Sequence, residues 1–198
     1  MCLHTRNEIK TADKDIKCYK VLQSLDGLRL EIPYYRYEAE KENGNEYLTP
    51  YRYYPMQLGK TYTNEEEFYS PHRDMYGIAN IGGDYFHSFA TITEAIEAIG
   101  DCEMLGAIVV ECTIPKGTKY YEGSMSYSQA NDGEVHTYAS KTLSLTKTIV
   151  AKTNYPIEGE YFVLSYDGKE YRLINDEDRT PTIKTFALHW VEVEKVLV

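Results

Sequence analysis

Apolar and polar positions alternate over Asp15 to Leu22, which predicts a first strand, and Asp26-Gly27 supplies a turn before Leu28 to Ile32, so the pattern opens as a hairpin. From Glu38 to Glu46 the apolar content falls and Asn43-Gly44-Asn45 carries turn chemistry, which predicts a surface loop. Pro50 and Pro55 bracket an extended tyrosine-rich piece, and Leu58 to Tyr62 reads as a short edge strand. Glu65 to His72 is irregular, and Gly82-Gly83 prepares a tight approach to Tyr85 to Phe89. The clearest helix begins at Thr91 or Thr93, with Thr93 the expected N-cap. It places Ala95, Ile96 and Ile99 on one face and ends at Gly100.

Leu105 to Ile114 is nearly continuous apolar sequence between Gly106 and Pro115, the signature of a central strand buried on both faces. Tyr120-Tyr121 starts another short strand, Ser124 to Glu134 is loop-like, and Thr142 to Thr146 alternates with period two. Glu160 to Tyr166 and Glu170 to Ile174 form a hairpin about Asp167-Gly168, and Phe186 to Val198 closes the sheet. The sum is an α+β fold: a strand-rich mixed or antiparallel sheet with one or two short helices packed on it. No internal repeat is present.

At 198 residues and 42% hydrophobic content the chain is expected to form a single globular domain spanning 1–198. No apolar run reaches the length of a membrane-spanning helix, and the charged N-terminal segment departs from a secretory leader, so no membrane association and a cytoplasmic location are expected. Cys2, Cys18, Cys102 and Cys112 have no C-x-x-C spacing and are expected to be reduced thiols. The net charge of −10 opposes the electrostatics on which nucleic-acid affinity rests, so direct nucleic-acid binding is disfavoured. Lys116, Lys119, Lys141, Lys147 and Lys152 read as a solvated basic face.

Several segments carry a resemblance. His87-Ser88-Phe89-Ala90-Thr91, the stretch from Ile114-Pro115-Lys116-Gly117 to Tyr120-Tyr121-Glu122-Gly123, and Tyr138-Ala139-Ser140 are similar to small proteins of gut Bacteroidetes and their phages or mobile elements. Met1-Cys2-Leu3, Cys18 to Leu22 and Leu58 to Tyr62 extend the likeness over most of residues 1 to 150. The resemblance implies a bacterial or phage setting and brings no established activity.

The chain has no H-E-x-x-H, G-x-x-x-x-G-K-[ST] or G-x-G-x-x-G pattern, and its five histidines lack metal-ligand spacing, so neither a metal nor a resident cofactor is expected. His87, between Phe86 and Ser88, is the histidine nearest a strand-to-helix junction and the one candidate for binding, against the plainer reading of a histidine bonded to backbone. The order of Arg29 or Arg36 on an early strand, Ser88 to Thr91, Ile114 to Thr118, and Glu158-Gly159-Glu160 resembles the layout of ADP-ribosyltransferases. That resemblance implies NAD as cofactor. Arg36 would grip its pyrophosphate and Ser88 shape the nicotinamide pocket, while Glu160 would support the oxocarbenium ion and Glu158 direct the acceptor.

Tyrosine is the outlier of the composition, at 20 residues against one tryptophan and five phenylalanines. Tyr34, Tyr35, Tyr37, Tyr47, Tyr51, Tyr53 and Tyr54 crowd one segment. Half-buried sheet faces account for most tyrosines, but Tyr34, Tyr35, Tyr53 and Tyr54 are also candidate anchors for a ligand. The expected function is therefore a non-catalytic binding or interaction protein for a small molecule or a protein. An ADP-ribosyltransferase-like enzyme is the alternative.

Overall fold

The computed structural model describes residues 3–26, 32–50, 52–65, 73–82, 84–101, 106–125, 135–152, 163–166, 169–173 and 190–193. In chain order the elements are β1 (Leu3–Thr5), β2 (Lys10–Thr11), β3 (Ile16–Ser24), α1 (Tyr34–Glu42), β4 (Tyr47–Leu48), β5 (Pro55–Met56), β6 (Thr61–Thr63), β7 (Ala79–Ile81) and β8 (Phe86–Phe89). They continue with α2 (Ile92–Asp101), β9 (Ala107–Ile114), β10 (Lys119–Met125), β11 (Val135–Ser140), β12 (Thr142–Lys152), β13 (Val163–Tyr166), β14 (Lys169–Leu173) and β15 (Trp190–Val193). Among the described residues the fold is α+β and strand-rich with two helices, and the strand registers seen are antiparallel.

The chain divides into two compact units. Unit one comprises Met1–Lys20, Leu58–Ala95 and Glu111–Lys147, and unit two comprises Val21–Gln57, Ile96–Val110 and Thr148–Val198. Strands β3, β9 and β12 and helix α2 contribute residues to both.

In unit one β8, β11, β10, β1 and β7 follow one another across the sheet. Its core is Leu3, Ala79, Ile81, Tyr121 and Ala139, with Tyr85 packed against it. Alternation explains the set: Tyr121 lies opposite Ala139, so one face of this hairpin is apolar and the other is left for polar groups. Gly123 permits the close approach of β1. A Cβ there would stand 2.3 Å from the His4 carbonyl oxygen and 2.8 Å from side-chain atoms of Leu3 and Thr5.

In unit two the end of β3 pairs with β4 and β4 with β5, while β13, β14 and β15 succeed one another beyond the end of β12. Leu25, Ile32, Tyr37 and Leu48 form a core cluster, with Tyr53 against it.

Two local expectations are corrected. Residues 38–42 belong to α1 rather than to a surface loop. Glu-Ala-Glu-Lys-Glu favours helix, and Arg36 and Glu40 sit one turn apart with their charged groups 4.0 Å from each other. The turn chemistry terminates this helix instead of replacing it. Gly44, at φ 70°, donates to the Lys41 carbonyl and Asn45 to the Glu40 carbonyl, the paired bonds of a Schellman end. Helix α2 is capped by Thr91, not Thr93. The Glu94 N–H donates to Thr91 Oγ1 at 3.3 Å and Thr91 N–H donates back to Glu94 Oε2 at 3.0 Å, a reciprocal capping box.

Central burial of β9 agrees with its apolar run: Ala107, Ile108, Val109 and Val110 are all buried. The expected strand at Leu28 to Ile32 lies mostly outside the described residues, as does most of the segment Phe186 to Val198.

Gly123→Ala is expected to lower stability by about 1–3 kcal/mol through overpacking against the β1 backbone. Gly82→Ala, where a Cβ meets nothing within 4 Å, is the matched control and is expected to change the urea midpoint little.

Candidate functional site

The tyrosine candidates gather around α1 in unit two. Pro33 sets the first turn, its carbonyl accepting from the N–H of Arg36 at 2.9 Å and of Tyr37 at 3.1 Å. Tyr37 then points inward, and its hydroxyl donates to Asp26 Oδ1 at 2.9 Å. Tyr34 and Tyr35 are left 71% and 77% exposed. Tyr54 is 50% exposed, whereas Tyr53 is half-buried against the core cluster.

Arg36 ties the helix to the loop that carries the last two rings. It lies on α1 and not on an early strand, because the helix-forming run after Pro33 captures it. Its guanidinium donates to the carbonyl oxygens of Tyr53 at 2.9 Å and Arg52 at 3.4 Å, and stands 5.3 Å from the centre of the Tyr53 ring. Tyr53 has φ 52°, a left-handed conformation that an aromatic residue adopts at a cost. The Arg36 bonds to its carbonyl and ring, with the Tyr53 N–H donating to the Thr49 carbonyl at 2.9 Å, offset that cost.

The remaining candidates fall in separate units or outside the described residues. Ser88 is buried on β8 of unit one, with its hydroxyl against the Cys18 thiol. Arg36 belongs to unit two, and Arg29, Glu158 and Glu160 lie outside the described residues. His87 Nε2 is 2.9 Å from the Gly82 carbonyl oxygen, in keeping with a histidine bonded to backbone.

Unit one holds two arrangements that sequence reasoning missed. The first is interior. Cys18 and Lys20 share a face of β3 by alternation, and the buried Lys20 Nζ donates to the His87 carbonyl at 2.8 Å. Burial pushes the Cys18 thiol up to about 11 and the Cys112 thiol higher still, while it lowers the Lys20 amine below its ordinary 10.5. Cys18 and Cys112 are free thiols that burial makes poor nucleophiles, and Cys2 and Cys102 lie outside the described residues.

The second arrangement covers the outer face of the sheet. Residues directly opposite in antiparallel strands point to the same side, so the registers stack three rows there. His4, Ser124 and His136 form one, Glu122 and Tyr138 the next, and Lys10 and Tyr120 the third, the last two rows running on to Ser88 and Ser140, which are buried. Glu122 is the hub: one carboxylate oxygen pairs with Lys10 Nζ and the other lies 2.7 Å from His136 Nε2. Lys10 chiefly, and His136 after it, hold the Glu122 carboxyl below its ordinary 4.5. The His136 ring lies 5.3 Å from that of Tyr138, which meets Tyr120 edge-on at 5.9 Å. Glu94 of α2 joins from the side, its Oε1 accepting the His136 N–H at 2.8 Å.

No family model matches the chain, and neither a curated protein nor a solved structure matches it. Among the described residues no group of three or more His, Cys, Asp or Glu side chains is placed to hold a metal ion, and no helix is long and apolar enough to cross a membrane.

Lys20→Met is expected to raise stability at neutral pH by about 1–3 kcal/mol, since an apolar chain of similar length removes the desolvation cost. Because the folded Lys20 titrates below 10.5, the unfolded chain binds the extra proton, and the advantage of the variant shrinks as pH rises towards 10.5. Urea melts at neutral and alkaline pH read both effects. Glu122 runs the other way in pH. Its depressed carboxyl stabilises the fold above 4.5 and loses that contribution as pH falls through its folded value, so Glu122→Gln is expected to cost up to about 1 kcal/mol at pH 7 and progressively less in acid.

Proposed function

We propose that this chain is a non-catalytic binding or interaction protein of the bacterial cytoplasm, of the kind phages and mobile elements carry, which takes a small molecule or a protein without help from a cofactor. The observation that carries this reading is the exposure of Tyr34, Tyr35 and Tyr54 around α1. Large aromatic rings left in water are costly unless covered, and tyrosine joins an apolar face to a hydroxyl at little entropic cost. The arginine bonds beneath them matter as much. Arg36 fixes the loop bearing Tyr53 and Tyr54 against the helix bearing Tyr34 and Tyr35, so the rings are presented on an ordered base. The same bonds weigh against the NAD-dependent alternative, since the guanidinium meant for a pyrophosphate is turned to backbone carbonyls.

The test is a panel of nucleotides, NAD and cyclic dinucleotides among them, and of cross-linked bacterial proteins, presented to the wild type and to a Tyr34→Ser/Tyr35→Ser double variant. Both positions are exposed, so the variant is expected to melt as the wild type does. A partner held by the wild type and lost from the variant is the expected result. A partner retained equally by both removes the tyrosine surface from consideration. Release of nicotinamide from NAD, abolished by Arg36→Ala, overturns the non-catalytic reading in favour of the transferase.

A further inference from the structure

In unit one, Asp74 to Gly77 forms a turn that holds two large apolar side chains in water. The Gly77 N–H donates to the Asp74 carbonyl at 3.0 Å, and Gly77 takes the left-handed φ of 74° that closes the turn. Asp74 Oδ1 accepts the N–H groups of Tyr76 and Ile78, each at 2.9 Å. The Asp74 N–H donates to the Ile78 carbonyl at 2.9 Å, and Arg73 bridges to Ala79. Met75 and Tyr76 are the two central residues of the turn. None of these bonds uses their side chains, which are 87% and 71% exposed.

Arg73 fastens this turn to a second loop. Between the pairs His4–Ser124 and Lys10–Tyr120, residues 5–9 stand against only residues 121–123, so the edge chain carries two extra residues and bows outward. Thr5 Oγ1 and Asn7 Nδ2 hold the bow to the Glu122 carbonyl at 2.6 Å and 2.9 Å. The Arg73 guanidinium spans both loops. Its Nη1 donates to the carbonyls of Gly77 at 2.9 Å and Arg6 at 3.1 Å, and its Nη2 to the Asn7 carbonyl at 3.0 Å and to Glu8 Oε1 at 3.1 Å. A surface ordered in this way before association loses little entropy when it is covered. Ile9, next in the chain to Glu8, adds a third exposed apolar side chain.

Charge indicates what covers it. Among the described residues the two loops carry Arg6 and Arg73 against Glu8 and Asp74, a balanced set in a chain of net charge −10. An acidic patch would fit a basic protein, and a patch of either sign would repel its own copy. A balanced patch suits an isologous contact, in which one surface faces itself and its opposite charges pair across the axis. Met, Tyr and Arg are also types enriched in protein interfaces. We propose that the protein forms a weak two-fold dimer through these loops, Met75 and Tyr76 of each copy packing against the other copy. So few side chains cover less than the roughly 800 Å² per partner of a stable interface, and a dissociation constant on the order of 100 μM is expected. The dimer is independent of the α1 surface and doubles it, since each copy brings its own Tyr34 and Tyr35 to a bivalent partner.

Sedimentation equilibrium of the intact protein up to about 0.5 mM, in about 0.05 M and about 0.5 M NaCl, tests this. A monomer–dimer equilibrium that tightens about threefold or more at the higher salt is expected, because salt screens the repulsion between two chains of net charge −10 and leaves the apolar contact in place. Met75→Ser/Tyr76→Ser, at two exposed positions, is expected to melt as the wild type does and to weaken the dimer about tenfold or more. Tyr34→Ser/Tyr35→Ser is expected to dimerise unchanged. A charge exchange gives an independent reading. Arg6→Glu leaves one positive charge against three negative in the loops, and Glu8→Arg leaves three against one. Each variant alone is expected to dimerise more weakly at low salt, and an equimolar mixture of the two is expected to regain the wild-type association.

A protein that is monomeric throughout overturns the proposal, as does a dimer that Met75→Ser/Tyr76→Ser retains or that salt dissociates. A mixture that associates no better than its components overturns the pairing of the loops across the axis. A dimer lost only from Tyr34→Ser/Tyr35→Ser moves the contact to α1 and overturns it too. A monomeric protein whose ligand is still lost with Tyr34→Ser/Tyr35→Ser overturns this dimer alone and leaves the binding reading standing.

Discussion

The pairing of β10 with β11, from Tyr120 opposite Ser140 to Met125 opposite Val135, is the constraint from which both faces of unit one follow. Side chains alternate along a strand, so a slip by one residue would send Tyr121 and Ala139 into water and bring Glu122 into the core. The apolar cluster with Leu3, Ala79 and Ile81 forbids that slip. Gly123 adds a second lock, because the β1 backbone passes too close for any side chain at that position. The same register that buries one face necessarily gathers Lys10, Glu122 and His136 on the other. Core packing and the polar site are two consequences of one alignment.

Much of the fold was legible in the sequence, and the failures have particular causes. The apolar run of β9 and the helix after Phe89 declare themselves, because burial imposes a pattern on consecutive residues. Helix α1 does not, since two tyrosines in its first turn resemble strand and the Asn-Gly pair at its end resembles a loop. The pair is in fact the helix terminus, with the left-handed Gly44 turning two amides back onto the last carbonyls. Thr91 caps helix α2 in place of Thr93 for a simpler reason: the decisive feature is Glu94 three residues on, a relation between two residues and not a property of either.

The outer-face cluster was beyond reach of any local pattern. Glu122 and His136 meet across the paired strands β10 and β11, while Lys10 comes from the far end of the chain and only the strand order of unit one makes it their neighbour. A faint trace does exist, since Tyr120, Glu122 and Ser124 alternate with buried Tyr121 and with Gly123, as His136 and Tyr138 alternate with Thr137 and Ala139. Each strand therefore advertises a polar face. Which polar faces meet is decided by pairing, and pairing is written in the packing of the opposite face.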